Sequence, residues 1–215
     1  MRFVFVLACL FTATSALADV LIGEGGRPFD SEDWVLAGDL TLYPDRIGTG
    51  HEYTDAGSSG SATIAVEGIC EGIVADIRFS VGWRSDQEIK IIDNYGQVCL
   101  YARIDTSNYL AYDLWAMGQY IGEIPYAIAN HIRLTFSTPL SGEYQWKARI
   151  EDLGTGEYLE YAEPGTTPMP FLEPITFWLH GGYATSVYIF RANFIGDNVV
   201  STTPTSWGTI KCLYR

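Results

Sequence analysis

The sequence predicts an all-β chain folded as a two-sheet antiparallel sandwich. Three observations predict it. Apolar and polar residues alternate with a period of two along several segments, which sets one face of an extended strand in a core and the other in water. Clusters of Gly, Pro, Asn, Asp and Ser separate these segments at short intervals, as turns do. No segment of helical length carries a helical apolar period; the best candidate, 126–132, is short and mixed. About a dozen strand-like segments are enough for two sheets meeting face to face.

The chain opens with a different signal. Arg2 supplies one positive charge, Phe3 to Phe11 is unbroken apolar sequence, and Ala16-Leu17-Ala18 ends the stretch in small residues at the positions a signal peptidase reads. A bilayer span needs about 20 apolar residues, so this run reads as a secretory signal peptide over 1–18, cut before Asp19. Residues 19–215 then form a single β-sandwich domain, secreted to the periplasm or the exterior. That length suits one all-β domain.

Along that domain, Gly23, Gly25, Gly26 and Pro28 mark an irregular start. Short strands follow at 34–37 and 39–42. Residues 44–61, punctuated by Pro44, Gly48, Gly50, Gly57 and Gly60, read as a long loop. Residues 62–66 alternate. In 73–83, Ile73, Ala75, Ile77, Phe79, Val81 and Trp83 share one face, and Asp76, Arg78 and Ser80 the other. Segments 88–92 and 97–104 flank Asp93-Asn94-Tyr95-Gly96, a hairpin turn. Segments 109–115 and 119–124 suggest another pair. Strands follow at 131–136 and 144–150, the latter with Tyr144, Trp146, Ala148 and Ile150 on its apolar face. A second loop spans Pro164 to Pro170; strands at 175–179, 187–195 and 209–214 close the chain.

Composition narrows the partners. The formal charge is −13, and loss of the signal removes Arg2 and no acid. Like charges repel, so nucleic acid and anionic membrane surfaces are excluded as partners. No later segment is long and apolar enough for a membrane span. Cys9 leaves with the signal, and Cys70, Cys99 and Cys212 remain. An oxidising compartment allows one disulfide among them, with all three pairings open. Their spacing is not that of a zinc site.

Four segments in order resemble the concanavalin A-like lectin/glucanase (laminin G-like) jelly-roll superfamily. They are Ala75 to Val81 with the hairpin through Asp93-Asn94-Tyr95-Gly96; Val98 to Asp105; His131 to Phe136 with Ser141-Gly142-Glu143-Tyr144 and Trp146 to Asp152; and Val187 to Phe194. Ile150-Glu151-Asp152 echoes the Ile-acid pair that ends a strand in members, and Ile195-Gly196-Asp197-Asn198-Val199 is similar to their late strand with an inserted glycine. The likeness covers roughly 29–200 and implies a jelly roll. Lectins, adhesion modules, glycosidases and polysaccharide lyases share that fold, so function must come from a site.

The catalytic patterns of the superfamily are absent. Its glucanases carry E-x-D-x-E on one strand, setting two carboxylates about a sugar ring apart. Here Glu157 and Glu160 fall on opposite faces of a strand, and glycines interrupt Glu67 and Glu71. There is no Arg-x-Glu-x-Arg or Gln-x-His lyase strand and no G-x-S-x-G. His180, Tyr183 and Arg191 would form a site only if their strands adjoin.

Sugar binding asks for less: aromatic rings for the C–H faces of a pyranose and polar side chains for its hydroxyls. Tyr112, Trp115, Trp83, Trp146, His180 and Tyr183 are the candidate ligand-binding residues, with Trp178 and Trp207 as further aromatic candidates. Tyr112 and Trp115, three apart on a strand, must face opposite ways. Structural calcium is the candidate cofactor, from Asp30 and Asp33 near the start and Asp197 near the end, because chain ends in a jelly roll lie side by side and hard oxygen ligands suit Ca²⁺. The leading expectation is a secreted, non-catalytic module binding carbohydrate or another extracellular surface. A polysaccharide hydrolase or lyase of the same fold, and a structural envelope module, are the alternatives.

Overall fold

The computed structural model describes residues 19–54, 56–80, 86–105, 111–125, 131–139, 144–165 and 174–201, without the side chains of 67–69, 105 and 197–201. Fifteen strands run through them: β1 (Val20–Gly23), β2 (Val35–Gly38), β3 (Leu40–Tyr43), β4 (Arg46–Thr49), β5 (Ser58–Ile64), β6 (Val66–Phe79), β7 (Asp86–Ile92), β8 (Val98–Asp105), β9 (Ala111–Ala116), β10 (Gln119–Pro125), β11 (His131–Ser137), β12 (Tyr144–Asp152), β13 (Tyr158–Pro164), β14 (Ile175–Gly181) and β15 (Val187–Ser201). One 3-10 turn, Phe29–Ser31, precedes β2.

The strands form two sheets. The first runs β13-β12-β11-β6-β15-β4-β3, with β1 also paired to β15; the second runs β10-β9-β8-β7-β14-β5-β2. Every pairing between named strands is antiparallel. The period-two alternation causes this arrangement. Ile73, Ala75, Ile77 and Phe79 on β6, and Ile175, Phe177 and Leu179 on β14, are buried, while their neighbours face outward. Phe177 meets Phe194 edge-on at 6.3 Å, and Phe79 meets Tyr112 at 6.1 Å. Both pairs join one sheet to the other, so the core lies between the sheets.

Some expectations need correction. Residues 44–61 are not one loop: β4 and the start of β5 lie within them. Gly48 and Gly60 serve close approach there rather than turning. The Tyr188 ring occupies the space a Cβ on Gly48 would need, and Ala37 O and Leu40 crowd Gly60. A strand not read from the sequence, β1, precedes the irregular start, with Val20 and Ile22 buried. The strand read at Glu157 to Glu160 is β13, which runs on to Pro164. The segment 126–130 lies outside the described residues, and His131 begins β11.

The cysteine expectation is corrected for one pairing. Cys70 sits on β6 and Cys99 on β8, in different sheets. Both are buried thiols and are not joined to each other; they donate to Gly72 O at 3.2 Å and Gln97 O at 3.6 Å. Burial, with the Asp93 carboxylate nearby, pushes the Cys99 thiol up to about 12. Cys212 and the closing strand at 209–214 lie outside the described residues.

Candidate functional site

Strand register decides which outward side chains meet. Across the second sheet, Tyr120 on β10 pairs with Trp115 on β9, Trp115 with Tyr101 on β8, Tyr101 with Lys90 on β7, and Lys90 with Trp178 on β14. All five project from the outer face, because their sequence neighbours Leu114, Leu100, Ile89, Phe177 and Leu179 fill the core. One row therefore crosses five strands.

The row is in contact along its length. Tyr101 and Trp115 stack at 4.8 Å with planes 26° apart, and Trp115 meets Tyr120 at 5.1 Å. Lys90 Nζ lies 5.1 Å from the Tyr101 ring centre and 4.0 Å from that of Trp178, a cation held between two aromatic faces. Trp178 stacks in turn on His180 at 5.9 Å. Stacking turns the faces of Tyr101 and Trp115 toward each other, so solvent meets their edges. Tyr120, at the end of the row, is 54% exposed.

A second row runs beside the first. Glu123, Asp113, Arg103, Glu88, His180 and Ser59 are register partners in that order from β10 to β5. Its charges hold the aromatic row in place. The Glu88 carboxylate lies near the Tyr101 hydroxyl and that of Asp113 near the Tyr120 hydroxyl. Burial first, and then these carboxylates, push both phenols above the ordinary tyrosine range, so both stay protonated as donors. Lys90 Nζ is 3.6 Å from Glu88, and Arg103 donates to Asp86 at 2.7 Å. An apolar strip alongside a strip of donors and acceptors offers what a sugar requires.

Of the sequence candidates, the structure brings Trp115 and His180 onto this face. Tyr112 is fully buried against Phe79, on the opposite side of β9 from Trp115. Trp146 is 3% exposed and packs between Phe136 and Tyr161 in the first sheet. Neither ring presents a surface to solvent. Tyr183 lies in the β14–β15 connection, edge-on to Tyr53, which in turn meets His51. Ala184 N bonds to Glu52 O at 2.7 Å and ties those two loops together. Trp83 and Trp207 lie outside the described residues. Trp178, a further sequence candidate, lies on this face as well; Tyr101 and Lys90 escaped the sequence reading, because only register tells which outward residues of five strands meet.

His180 and Arg191 do not converge, since β14 belongs to the second sheet and β15 to the first, and each side chain faces outward. Glu160 is held by Lys147 at 2.8 Å and Arg149 at 3.7 Å.

The expected calcium ligands are not seen grouped among the described residues, which leave out the side chain of Asp197. The chain ends do lie side by side, with β1 on β15. Yet Gly23 pairs with Arg191, and Asp197 stands six residues further along β15, about 20 Å at the rise of a strand. Asp30 and Asp33 are exposed. Among the described residues no three His, Cys, Asp or Glu side chains are grouped as a metal site.

Known structures share this architecture. The carbohydrate recognition domain of Emp47p superposes with a TM-score of 0.52 at 11% identity, over 82% of this chain and 95% of that one. The lectin from Bauhinia forficata in complex with GalNAc gives 0.51 at 12%, over 80% and 94%. The chain has a concanavalin A-like jelly-roll fold. A third jelly-roll comparison, the CBM2 module of the Lactobacillus casei BL23 phage J-1 evolved Dit, gives 0.52 at 13%, over 86% and 92%. No family model matches the sequence, and no curated protein matches it. No helix among the described residues is long and apolar enough to cross a membrane.

Proposed function

We propose that the chain is a secreted, non-catalytic carbohydrate-binding module that takes its ligand on the outer face of the second sheet. One observation carries the reading: the continuous row Tyr120, Trp115, Tyr101, Lys90 and Trp178 beside the polar row Glu123, Asp113, Arg103, Glu88 and His180. The aromatic edges supply apolar area. The charged row supplies hydrogen bonds in fixed positions. The shared jelly-roll fold supports the reading without naming a sugar, since Emp47p's domain is a carbohydrate recognition domain and the Bauhinia forficata lectin binds GalNAc.

Hydrolysis needs two carboxylates free to act on one glycosidic bond. Two of the four carboxylates of this face are engaged in ion pairs, Asp86 with Arg103 and Glu88 with Lys90, while Asp113 and Glu123 are neighbours across β9 and β10. Residues 1–18 serve as an export signal, removed before Asp19. Tyr183, 43% exposed beside Tyr53, is a second contact point at the loop end.

The test is retention of the secreted protein on a panel of polysaccharides, with released reducing ends measured in parallel. Retention without product, unchanged by a chelator and lowered about tenfold or more by Trp115→Ala (~1.4 kcal/mol), is expected. Released product would replace the binding module with an enzyme. Equal retention of Trp115→Ala and wild type would move the site off this face. Loss of retention in Tyr183→Ala alone would move it to the loop end.

A further inference from the structure

We infer that the occupant of this face is an uncharged, unbranched glycan lying across the strands, with about four sugar residues in contact at a strand spacing of about 4.8 Å. The inference rests on the carbohydrate reading above and specifies its ligand.

Direction comes from register. The apolar strip from Tyr120 to Trp178 crosses four strand spacings, roughly 19 Å. Its Tyr and Trp rings form a single row across the strands, with outward Ile92 and Val98 beyond it on β7 and β8. On one side lies the row Glu123, Asp113, Arg103, Glu88 and His180. On the other, Thr63 and Thr176 share a hydrogen bond at 2.8 Å. A chain running along a strand would leave the rings after one residue, whereas a chain running across them keeps apolar contact over the whole strip.

Rigidity favours an extended ligand over a flexible surface fit. Each ring is already packed on its neighbour, and Lys90 sits between Tyr101 and Trp178. Little side-chain entropy is lost when a chain settles on them.

Charge selects the ligand class. Asp86, Glu88, Asp113 and Glu123 stand against Lys90 and Arg103 on this face, and the chain as a whole carries −13. A uronate or sulfated chain would be repelled. A polycation would meet Lys90 in the centre of the row, between Tyr101 and Trp178. Hydroxyls suit both signs, donating to the carboxylates and accepting from Lys90 and Arg103.

The experiment is calorimetric titration of the whole secreted chain with linear neutral oligosaccharides, from monosaccharide to hexasaccharide, in parallel with oligogalacturonates of matched length, at low and high salt. Affinity should climb with length and level off near the tetrasaccharide. Oligogalacturonates should bind at least about tenfold more weakly at low salt, and salt should move neutral binding by less than about twofold. Trp178→Ala should weaken the tetrasaccharide about tenfold more than the disaccharide; a ring that only supports the fold would weaken both equally and overturn the inference. A monosaccharide binding as tightly as the tetrasaccharide, or a preference for the oligogalacturonate, would overturn it and leave the carbohydrate reading standing. No saccharide bound by chain that melts cooperatively would remove both.

Discussion

Asp76 shows how one residue can be outward-facing and still buried. It alternates away from the core on β6, yet it is 3% exposed because Arg133 of β11 closes over it with two hydrogen bonds, at 2.8 and 3.0 Å. Removing the guanidinium leaves a carboxylate with little water, so Arg133→Met should cost about 3 kcal/mol in chemical denaturation. His131, next to Arg78 in register, has its pKa lowered by burial first and then by Arg78 and Arg133, against the opposing pull of Asp76 and Glu24. The unfolded chain therefore binds the extra proton first. The His131 contribution is complete above its ordinary value of about 6.5 and is lost as pH falls through the lower folded value. His131→Gln should flatten that part of the stability profile, measured by urea midpoints across mildly acidic pH. Cys99, with its thiol raised to about 12, should resist alkylation at neutral pH in the folded chain and react once denatured, as read by peptide mass spectrometry.

At the scale of elements, close backbone approach and turn chemistry set the register. Gly48 lies under the Tyr188 ring where β4 meets β15. Gly48→Ala would push that ring outward and should lower stability by about 2 kcal/mol. The hairpin from β7 to β8 turns on Asp93, whose carboxylate accepts from Tyr95 N and Gln97 N, both at 2.9 Å. Gly96 at φ 76° completes the turn with open space where a side chain would go. Asp93→Ala should cost about 1 kcal/mol in thermal denaturation, because two donors lose their partner. The same register carries Lys90 to Tyr101, so this turn also fixes the middle of the proposed binding row.

At the scale of the whole molecule, the two sheets have different outer faces. The first carries ion pairs, Arg133 with Asp76, Lys147 with Glu160, and Arg149 with Glu151 and Glu160, and the rings of Tyr43, Tyr188 and Phe190 lie under Arg46 and Arg78. The second carries the aromatic row. Both outer faces thus present rings, and the retention loss expected of Trp115→Ala is what assigns the ligand to the second. Export belongs to this scale as well: mass spectrometry of secreted protein should find Asp19 as the first residue, and an intact residue 1–18 segment would remove the signal reading.

By itself, the sequence determined that the chain is a β-sandwich, because period-two alternation fixes which face of a strand is buried whatever it pairs with. It also separated Tyr112 from Trp115, since residues three apart on a strand must face opposite ways; the structure buries Tyr112 and turns Trp115 outward. It misread 44–61, because a glycine that admits a neighbouring ring looks the same in sequence as one that turns the chain. The row from Tyr120 to Trp178 was decided only by tertiary structure. Its members come from five strands spread over residues 90 to 178, and alternation says that each faces out without saying which one stands beside it.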